Sequence, residues 1–198
     1  MKLVLASNNP GKLREIRAIL APLAIDVVAQ ADLGIPEADE PHDTFVDNAL
    51  AKARHASRAA RLPALADDSG LCVPALGGDP GVHSAYYAGR EGNREQRDAR
   101  NNAKLLASLA GKDRRAYYAC VMTLVRDARD EHPIVAEGRW DGEIAAAPRG
   151  ANGFGYDPLF YLPEQGMTAA ELDGETKNRI SHRGRALQAL LKALRQWK

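Results

Sequence analysis

The opening segment of the chain alternates between apolar runs and polar breaks. Residues 3–6 form a continuously apolar run, which is typical of a strand buried on both faces. Polar residues follow at positions 7–11, and helical spacing of apolar side chains begins after Lys12. The positions that carry this spacing are Leu13, Ile16, Ile19, Leu20 and Leu23. Pro22 limits the helix and residues 25–28 start a second strand, so the chain opens as strand, loop, helix and strand.

Residues 44–70 predict a long helix followed by a strand that ends at Asp67 and Asp68. Thr44 is a good N-cap for a helix that Pro63 limits. The apolar stripe of this helix consists of Phe45, Ala49, Leu50, Ala53, Ala56 and Ala60. Residues 64–66 predict a buried strand, which we expect to end in a turn at residues 67–70, where charge and glycine replace apolar side chains.

The second half of the chain favours antiparallel strands. A charged helix is predicted over residues 93–109 and a strand over residues 117–125. The stretch 134–147 predicts two further segments around a hairpin turn at residues 140–142, because Asp-Gly is a preferred hairpin dipeptide. A short strand at residues 159–162 and a last helix with a leucine stripe complete the pattern.

These elements predict an α/β fold with a mixed β-sheet flanked by helices. The sequence contains no internal repeat and no Pro/Ser-rich tether that would separate independent domains. We therefore expect a single domain over residues 1–198, arranged as two lobes with a central cleft.

The composition excludes several classes of protein. Lys plus Arg number 27 and Asp plus Glu 26, so the formal net charge is +1 and no basic field attracts the chain to nucleic acid or to a membrane surface. The apolar part of the amino terminus is too short for a signal peptide, and no stretch approaches the ~20 apolar residues of a membrane span. Cys72 and Cys120 lie in apolar runs, which suits buried reduced thiols. We expect a cytoplasmic protein.

Residues 7–12 place a lysine where a strand passes into a helix. Backbone N–H groups at a helix N-terminus, together with a lysine charge, favour phosphate as a ligand. The stretch is not a Walker A loop, because Ser7 occupies the first glycine position and Leu13, which has no hydroxyl for Mg²⁺, follows Lys12. A polar turn with a solvated lysine is the alternative interpretation.

Asp67 and Asp68 are adjacent acids at the end of an apolar run. They repel each other unless solvent or a cation intervenes, and a divalent metal ion would remove the repulsion. Neighbours in a strand point to opposite faces, so one of the two is expected to face a given site, and the sequence does not say which. A carboxylate from residues 37–43 would complete an oxygen-rich site for Mg²⁺. A solvated acidic turn is the alternative.

Two later stretches have the composition of ligand-binding segments. Residues 150–158 place three glycines around Phe154 and Tyr156, so that a flat ligand could stack on one ring while Asp157 accepts from its N–H groups. Residues 177–184 place three cations and a histidine just before or within the start of the last helix, where a polyphosphate would offset their unfavourable interaction with the helix dipole. The alternatives are a structural turn for the first stretch, and solvated basic residues or RNA contact for the second.

Together these segments resemble the inosine triphosphate pyrophosphatase family over essentially the whole chain. The resembling residues are those at 7–12, 44–45, 48–49, 66–71, 81, 84–85, 153–158 and 181–184. The resemblance implies an elongated α/β sheet with two lobes and a deep cleft. It also implies a homodimer that hydrolyses the non-standard purine nucleotides ITP, dITP and XTP to the monophosphate and pyrophosphate, which cleanses the nucleotide pool.

The resemblance further implies a role for each matching residue. Glu40 and Asp68 would bind Mg²⁺, and Asp68 would accept a proton from the attacking water. Because Glu37 and Asp39 are neighbours of Glu40, a shift in register would move the second ligand to either of them. The residues implied to contact the substrate are Ser7, Asn8, Asn9, Pro10, Gly11, Lys12, Ser69, Phe154, Gly155, Tyr156, Asp157, Lys177, His182 and Arg183.

The mechanism implied by the resemblance is metal-assisted hydrolysis at the α-phosphorus. Residues 7–12 would hold the triphosphate, and their lysine would neutralise the departing pyrophosphate together with Lys177. Residues 154–157 and 182–183 would surround the base. Two rival hypotheses are a nucleotide-binding regulatory module without turnover and an RNA-associated protein that uses the basic stretch 177–185.

Overall fold

The structure, a computed structural model, describes residues 2–21 and 25–195. Its helices are α1 (Pro10–Leu20), α2 (Phe45–Ala60), α3 (Arg94–Ser108), α4 (Gly174–Ile180) and α5 (His182–Leu194). Its strands are β1 (Lys2–Leu5), β2 (Asp26–Ala29), β3 (Ala64–Cys72), β4 (Arg115–Val125), β5 (Ile134–Ile144), β6 (Phe160–Leu162) and β7 (Met167–Thr168). Pro22 and Leu23, which the sequence assigns to the end of the first helix, lie outside the described residues, as do residues 1 and 196–198 of the predicted domain.

The strands named above form one mixed sheet in the order β2-β1-β3-β4-β5-β6-β7. β1 pairs in parallel with β2 and with β3, which places Leu3 opposite Val27 and Val4 opposite Ala64. β6 pairs antiparallel with β5 and with β7. The presence of parallel and antiparallel pairs confirms the predicted mixed α/β sheet with helices between its strands.

The described chain divides into two compact units. Unit 1 is formed by residues up to Asp68, by Cys120–Gly138 and by the residues from His182 onward. Unit 2 is formed by Ser69–Ala119 and Arg139–Ser181. The predicted single domain, its elongated shape and its central cleft stay predictions.

Unit 1 contains two layers of buried side chains because successive residues of its strands alternate between faces. One cluster joins α1 and α5 to the strands through Leu3, Leu5, Ile16, Leu20, Leu65, Met122, Leu124, Ala186, Leu187 and Leu190. The other joins α2 to the strands through Val4, Ala6, Ala53, Ala56, Ala64, Ala66 and Val125. The alternation along β1 and β3 therefore decides which helices each strand residue meets.

Unit 2 has an aromatic core. Its buried residues include Leu71, Val73, Leu105, Leu109, Tyr118, Trp140, Ile144, Tyr156, Leu159, Phe160 and Leu162. The rings of Tyr118 and Phe160 have their centroids 4.6 Å apart, and those of Trp140 and Phe160 are 5.2 Å apart. These are ordinary distances for tilted aromatic pairs, which hold β4, β5 and β6 together in this unit.

β3 does not end at the two acids. It continues through residues 67–70 as far as Cys72, so the predicted turn is wrong. Gly70 serves close packing here rather than a change of direction: a Cβ at this position would lie 2.1 Å from the carbonyl oxygen of Gly81. A glycine inside a strand therefore marks the approach of another segment of backbone.

The predicted hairpin at residues 140–142 is also wrong, because β5 runs unbroken from Ile134 to Ile144. Trp140 is buried in the core of unit 2. A Cβ on Gly142 would lie 2.6 Å from the carbonyl oxygen of Tyr161 in β6, so this glycine also admits a neighbouring strand.

The basic stretch at residues 177–184 spans two helices. Lys177 and Arg179 lie in the last turn of α4, where positive charge interacts favourably with the helix dipole. His182 and Arg183 then begin α5. Residues 177–181 therefore lie just before the last helix and residues 182–184 within its start, as predicted, but Lys177 and Arg179 interact first with the favourable end of α4.

Two expectations drawn from composition concern cysteines and membrane spans. Cys72 and Cys120 are both free and buried, which confirms the prediction of unpaired thiols. Within residues 2–21 and 25–195, no helix combines the length and the apolar character needed to cross a bilayer.

Candidate active site

The loop between β1 and α1 is held by its own side chains. Asn9 caps α1, since its Oδ1 accepts hydrogen bonds from the amides of Gly11 at 2.9 Å and Lys12 at 3.2 Å. Pro10 begins the helix, where its missing N–H is not needed, and Ser7 Oγ accepts from the amide of Asn9 at 3.2 Å. The amides of Gly11 and Lys12 are therefore already hydrogen-bonded to the side chain of Asn9. The helix dipole and the charge of Lys12 are the features of this turn that would attract an anion.

Asn8 and Lys12 connect this loop to other elements. Asn8 Oδ1 accepts a hydrogen bond from Gln30 Nε2 at 3.1 Å. Lys12 Nζ lies 2.5 Å from Asp67 Oδ1 and 3.5 Å from the carbonyl oxygen of the same residue. The side chain of Lys12 is 15% exposed, so its charge is already balanced in part by Asp67 while it stays within reach of solvent.

The two adjacent acids of β3 face opposite sides of the strand, which answers the question that the sequence leaves open. Residues two apart in a strand lie on the same face. Asp67 therefore lies on the face of Leu65, which packs with α1 and α5, and Asp68 lies on the face of Ala66, which packs with α2. Asp67 accordingly meets cations from α1 and α5, and Asp68 meets a cation from α2. The repulsion expected between adjacent carboxylates is removed because each has its own positive partner.

Asp67 is buried in a cluster of charges. Its Oδ2 accepts from Arg183 Nε at 3.0 Å and from Cys120 Sγ at 3.2 Å, and Arg183 Nη1 lies 2.5 Å from Glu15 Oε2. Burial by itself would raise the pKa of Asp67, but the charges of Arg183 and then of Lys12 outweigh it and hold this pKa well below its usual range. Burial works to lower the pKa of Arg183, and the two carboxylates raise it nonetheless. The cluster therefore stays charged.

Lys52 of α2 bridges Asp68 and Glu40. Its Nζ lies 2.8 Å from Asp68 Oδ1 and contacts Glu40 Oε1. Burial works to lower the pKa of Lys52, but the charges of Asp68 and then Glu40 raise it overall, so the side chain stays an ammonium. Of the acids at positions 37, 39 and 40, the structure brings Glu40 to the cation that Asp68 binds.

Lys52 and Glu15 are charged residues of these clusters that the sequence analysis did not single out. Lys52 lies between Ala49 and Ala53 on the buried face of α2, and Glu15 precedes the buried Ile16 of α1. A lysine or glutamate on the apolar face of an amphipathic helix requires a partner of opposite charge, because such side chains are almost never buried alone. That position in the pattern is the signal that could have revealed both.

The environment of Asp68 fits a divalent cation. Burial raises the pKa of Asp68, and Lys52 and Lys12 oppose this rise only in part. Its Oδ2 is buried and has no hydrogen-bond partner among the described residues. A carboxylate oxygen in this state, beside the second carboxylate of Glu40, suits a hard cation such as Mg²⁺. In the described part of the chain, no group of three or more His, Cys, Asp and Glu could hold a metal, so Mg²⁺ would need further oxygens from water and phosphate.

In unit 2, Asp157 organises the loop that contains Phe154. Its Oδ2 accepts from the amide of Phe154 at 2.8 Å and lies 2.6 Å from Lys177 Nζ, and its Oδ1 is 3.4 Å from the hydroxyl of Tyr118. Asp157 is 2% exposed. Through these contacts the carboxylate of Asp157 holds the loop and Lys177 in place. Direct contact of Asp157 with a base stays a prediction.

The two aromatic residues of this loop have different environments. Tyr156 belongs to the core of unit 2, and its hydroxyl donates to the carbonyl oxygen of Ser84 at 2.9 Å. The ring of Phe154 is partly exposed, with Arg94 and Lys177 each 4.9 Å from its centroid. Phe154 is therefore the ring of the pair that is placed to stack on a ligand, since Tyr156 is enclosed by other side chains.

The remaining candidate residues are Gly155, Ser69 and His182. Gly155 is fixed through its backbone to α3, because its amide donates to Asp98 Oδ2 and its carbonyl oxygen accepts from Asn102 Nδ2, both at 3.0 Å. Ser69 is half-buried in β3, and His182 is buried as the first residue of α5. Their contacts with a nucleotide stay predictions.

The mixed sheet with flanking helices defines the fold class, and comparison with known proteins then gives the family. The sequence profile of the Ham1 family matches residues 3–193. The chain belongs to the Ham1 family.

Relatives with high sequence identity share one name. The chain is 64% identical over 194 residues to the dITP/XTP pyrophosphatase of Burkholderia pseudomallei (strain K96243), a match that covers 98% of this chain and 93% of the relative. It is 62% identical over 195 residues to the dITP/XTP pyrophosphatase of Ralstonia nicotianae, covering 98% and 96%. These matches confirm the resemblance to inosine triphosphate pyrophosphatases predicted from the motifs.

Solved structures confirm the fold class. A HAM1 protein from Coxiella burnetii superposes with a TM-score of 0.90 at 46% identity and covers 99% of both chains. The Ham1 protein of Staphylococcus aureus gives a TM-score of 0.86 at 38% identity over the full length of both chains. The predicted α/β architecture is therefore that of the family.

Proposed function

We propose that the chain is a nucleoside triphosphate pyrophosphatase that hydrolyses ITP, dITP and XTP to the monophosphate and pyrophosphate. The observation that carries the proposal is the state of Asp68. One of its oxygens is paired with Lys52 beside Glu40, and the other is buried and without a hydrogen-bond partner among the described residues. This arrangement occurs in a chain whose relatives at 62–64% identity are named dITP/XTP pyrophosphatases.

The residues of unit 1 would handle the triphosphate and the attacking water. Lys12 and Lys52 supply positive charge on the two faces of β3, and residues 7–12 would contact the phosphate oxygens. Asp68, which has one oxygen without a hydrogen-bond partner among the described residues, would accept the proton of the attacking water. Mg²⁺, held by Glu40 and Asp68, would polarise the phosphate oxygens when bound.

Selection of the base would depend on the hydrogen-bond pattern of the purine. Hypoxanthine and xanthine carry an acceptor at the position where adenine carries a donor. A site that donates to this acceptor from Arg183 leaves buried donors facing a donor when ATP enters, which costs factors of about 10⁴. Phe154 would stack on the ring, and Lys177, fixed by Asp157 at 2.6 Å, would contact the substrate near the phosphates.

The decisive experiment is an assay of products. The protein is incubated with ITP, dITP, XTP, ATP or GTP in the presence of Mg²⁺ or of EDTA, and pyrophosphate and orthophosphate are measured separately. We expect pyrophosphate from the first three nucleotides, in the presence of Mg²⁺ but not of EDTA, and none from ATP; GTP, which carries the same 6-oxo acceptor, measures whether the 2-amino group of guanine is rejected. Intact bound ITP would instead indicate a regulatory binding module, and tight RNA binding that weakens steeply with salt would indicate the RNA-associated alternative.

The catalytic role of Asp68 and the metal-binding role of Glu40 predict different kinetic effects for variants of the two residues. We expect Asp68→Asn to lower kcat for ITP by about 100-fold or more, because the proton acceptor and a metal ligand are lost together. Glu40→Gln should raise the Mg²⁺ concentration that gives half-maximal rate. Glu37→Gln and Asp39→Asn are the matched controls and should leave both quantities unchanged. If either control behaves like Glu40→Gln, the second metal ligand has been assigned to the wrong acid.

We also propose a homodimer in the cytoplasm. The family resemblance supports the dimer, and the free state of Cys72 and Cys120 supports a reducing compartment. Light scattering coupled to size-exclusion chromatography tests the first point. A mass equal to one chain of 21.4 kDa would contradict it.

A further inference from the structure

Asp67 lies at the centre of a buried charge network in unit 1 to which the proposed function gives no task. Its side chain is 0% exposed, and each carboxylate oxygen faces a cation. Lys12 Nζ lies 2.5 Å from Oδ1, and Arg183 Nε lies 3.0 Å from Oδ2. A charge this deeply buried persists only with well-placed partners, so the three groups constrain one another.

The two cations come from distant parts of the chain. Lys12 lies 55 positions before Asp67, in the first turn of α1, and Arg183 lies 116 positions after it, at the start of α5. In the proposed function Lys12 binds the triphosphate and Arg183 contacts the base. One carboxylate therefore holds a phosphate ligand and a base ligand at the same time.

Arg183 also forms an ion pair with a second carboxylate, that of Glu15. Its Nη1 lies 2.5 Å from Glu15 Oε2 while its Nε is bonded to Asp67. Because the guanidinium is planar, contacts at two of its nitrogens fix its plane as well as its position. The Sγ of Cys120, 3.2 Å from the Asp67 oxygen that Arg183 contacts, restricts rotation of the carboxylate itself.

The neighbouring acid has a different direct partner, although the charge of Lys12 also acts on it. Asp68 faces the other side of β3, where its partner is Lys52 at 2.8 Å. The adjacent carboxylates can therefore be altered separately. A change at Asp67 leaves the contact between Asp68 and Lys52 in place.

We propose that Asp67 is a positioning residue for substrate selectivity, which holds Arg183 in the orientation that distinguishes a 6-oxopurine from adenine and fixes Lys12 through the same carboxylate. The inference rests on the proposed function, because Arg183 and Lys12 have this meaning only as ligands of a nucleotide. Discrimination depends on a donor being aimed at the purine oxygen, so the orientation of the guanidinium matters as much as its charge.

The first test compares kcat/KM for ITP and for ATP in the unmodified enzyme, in Asp67→Asn and in Asp130→Asn. Asp130 is a matched control, since it is another buried acid of unit 1, 8% exposed, and contacts none of Lys12, Glu15 and Arg183 in the described network. We expect Asp67→Asn to lower the ITP-to-ATP ratio about tenfold or more, and Asp130→Asn to leave it unchanged.

A purely structural role would give a different result. It would reduce the folded fraction and lower kcat/KM for both nucleotides by one common factor, which leaves their ratio unchanged. A ratio within about twofold of the unmodified enzyme in folded Asp67→Asn therefore overturns the proposal.

The second test asks whether Asp67 acts through Arg183. Arg183→Ala removes the guanidinium, so adding Asp67→Asn to it should change the ITP-to-ATP ratio by less than about twofold. Two effects that multiply in the double variant would show that the residues act independently and would overturn the proposed route.

Asp67→Glu decides the matter if Asp67→Asn does not fold. The glutamate keeps the charge but displaces the carboxylate by one methylene, and circular dichroism with the unfolding midpoint establishes that the variant is folded. We expect the ratio to fall about threefold or more, and an unchanged ratio overturns the proposal. If the unmodified chain releases no pyrophosphate from ITP, the proposed function fails; if it is selective and the Asp67 variants are equally selective, this inference alone fails.

Discussion

Lys52 lies between the two carboxylates that we propose as ligands of Mg²⁺. Its ammonium lies 2.8 Å from Asp68 Oδ1 and contacts Glu40 Oε1. It thereby relieves the repulsion between the two acids, as a divalent cation would. If Mg²⁺ binds these two acids as we propose, the metal ion and Lys52 compete for the same two carboxylates.

Replacement of Lys52 by methionine tests this competition. In Lys52→Met the carboxylates of Asp68 and Glu40 lose their shared cation, so we expect Mg²⁺ to bind about tenfold more tightly without nucleotide. The metal-free variant should also be less stable than the unmodified chain and should regain stability on adding Mg²⁺. Calorimetric titration and thermal unfolding measure the two effects. Lys192→Met, at an exposed position of α5, is the control, and equal Mg²⁺ affinity in all three proteins would refute the competition.

Asp130 makes the stability of unit 1 depend on pH. Its Oδ2 accepts from the amide of Arg126 at 2.8 Å and its Oδ1 from the amide of His132 at 3.0 Å. Burial would raise the pKa of Asp130, but these two amides, followed by the charges of Arg126 and His132, lower it overall. A lowered folded-state pKa means that the ionised group stabilises the fold above its unfolded-state pKa, and that this contribution disappears as the pH falls through the folded-state value.

We therefore expect Asp130→Asn to lower the free energy of unfolding by about 1 kcal/mol at pH 7. The difference from the unmodified chain should shrink as the pH falls below the ordinary Asp pKa of 3.8 and through the lower folded-state pKa, because the carboxyl is protonated first in the unfolded state and then in the folded state as well. Urea denaturation at pH 7, 5 and 3 measures it. A difference that is constant over this range would show that the charge of Asp130 does not contribute.

For individual residues, side-chain type and spacing in the sequence indicated which residues carry charge or a ring, but not which role each one has in the structure. Asp67 and Asp68 are identical side chains, yet one is enclosed by Lys12 and Arg183 and the other has an oxygen that no described residue bonds. Tyr156 was an equal candidate with Phe154 for stacking, and its burial in the core decided otherwise. Roles of this kind depend on what the rest of the chain places nearby.

At the scale of elements, helix starts were predictable because capping is local. Thr44 was predicted to cap a helix, and its Oγ1 accepts from the amide of Asp47 at 3.2 Å. Two glycines led to wrong predictions of turns, because Gly70 and Gly142 lie inside β3 and β5. A glycine needed for a turn and one needed for close approach have the same sequence signature, and only the neighbouring segment distinguishes them.

Gly138 provides the test at this scale. A Cβ at this position of β5 would lie 2.0 Å from the carbonyl oxygen of His182 and 2.5 Å from the amide nitrogen of Ala186, both in α5. We expect Gly138→Ala to lower the free energy of unfolding by about 1–3 kcal/mol and to reduce kcat/KM, because the start of α5 must shift.

Gly174→Ala is the matched control for this variant, since a Cβ there has nothing within 4 Å. It should leave the urea midpoint unchanged or raise it slightly, because alanine favours a helix. If Gly138→Ala is as stable as the control, the packing of α5 against β5 is looser than the structure shows.

At the scale of the whole molecule, the two units are assembled from separated parts of the chain. Unit 1 takes its residues from the first third, from Cys120–Gly138 and from the segment after His182. This arrangement brings Arg183 to Asp67 and Glu15. The buried network of Asp67, Glu15 and Arg183 therefore forms only when the last helix packs against the strands formed by the first third.

The sequence by itself determined the α/β class, the cap at Thr44, the free thiols and the family, because local patterns and motif order need no knowledge of distant contacts. Tertiary structure alone decided which acid of β3 faces which helix, that Lys52 joins Glu40 to Asp68, and that Asp67 joins Lys12 to Arg183. The physical reason is that a buried charge is defined by its partners. Those partners lie up to 168 positions away in the chain, where no local spacing can indicate them.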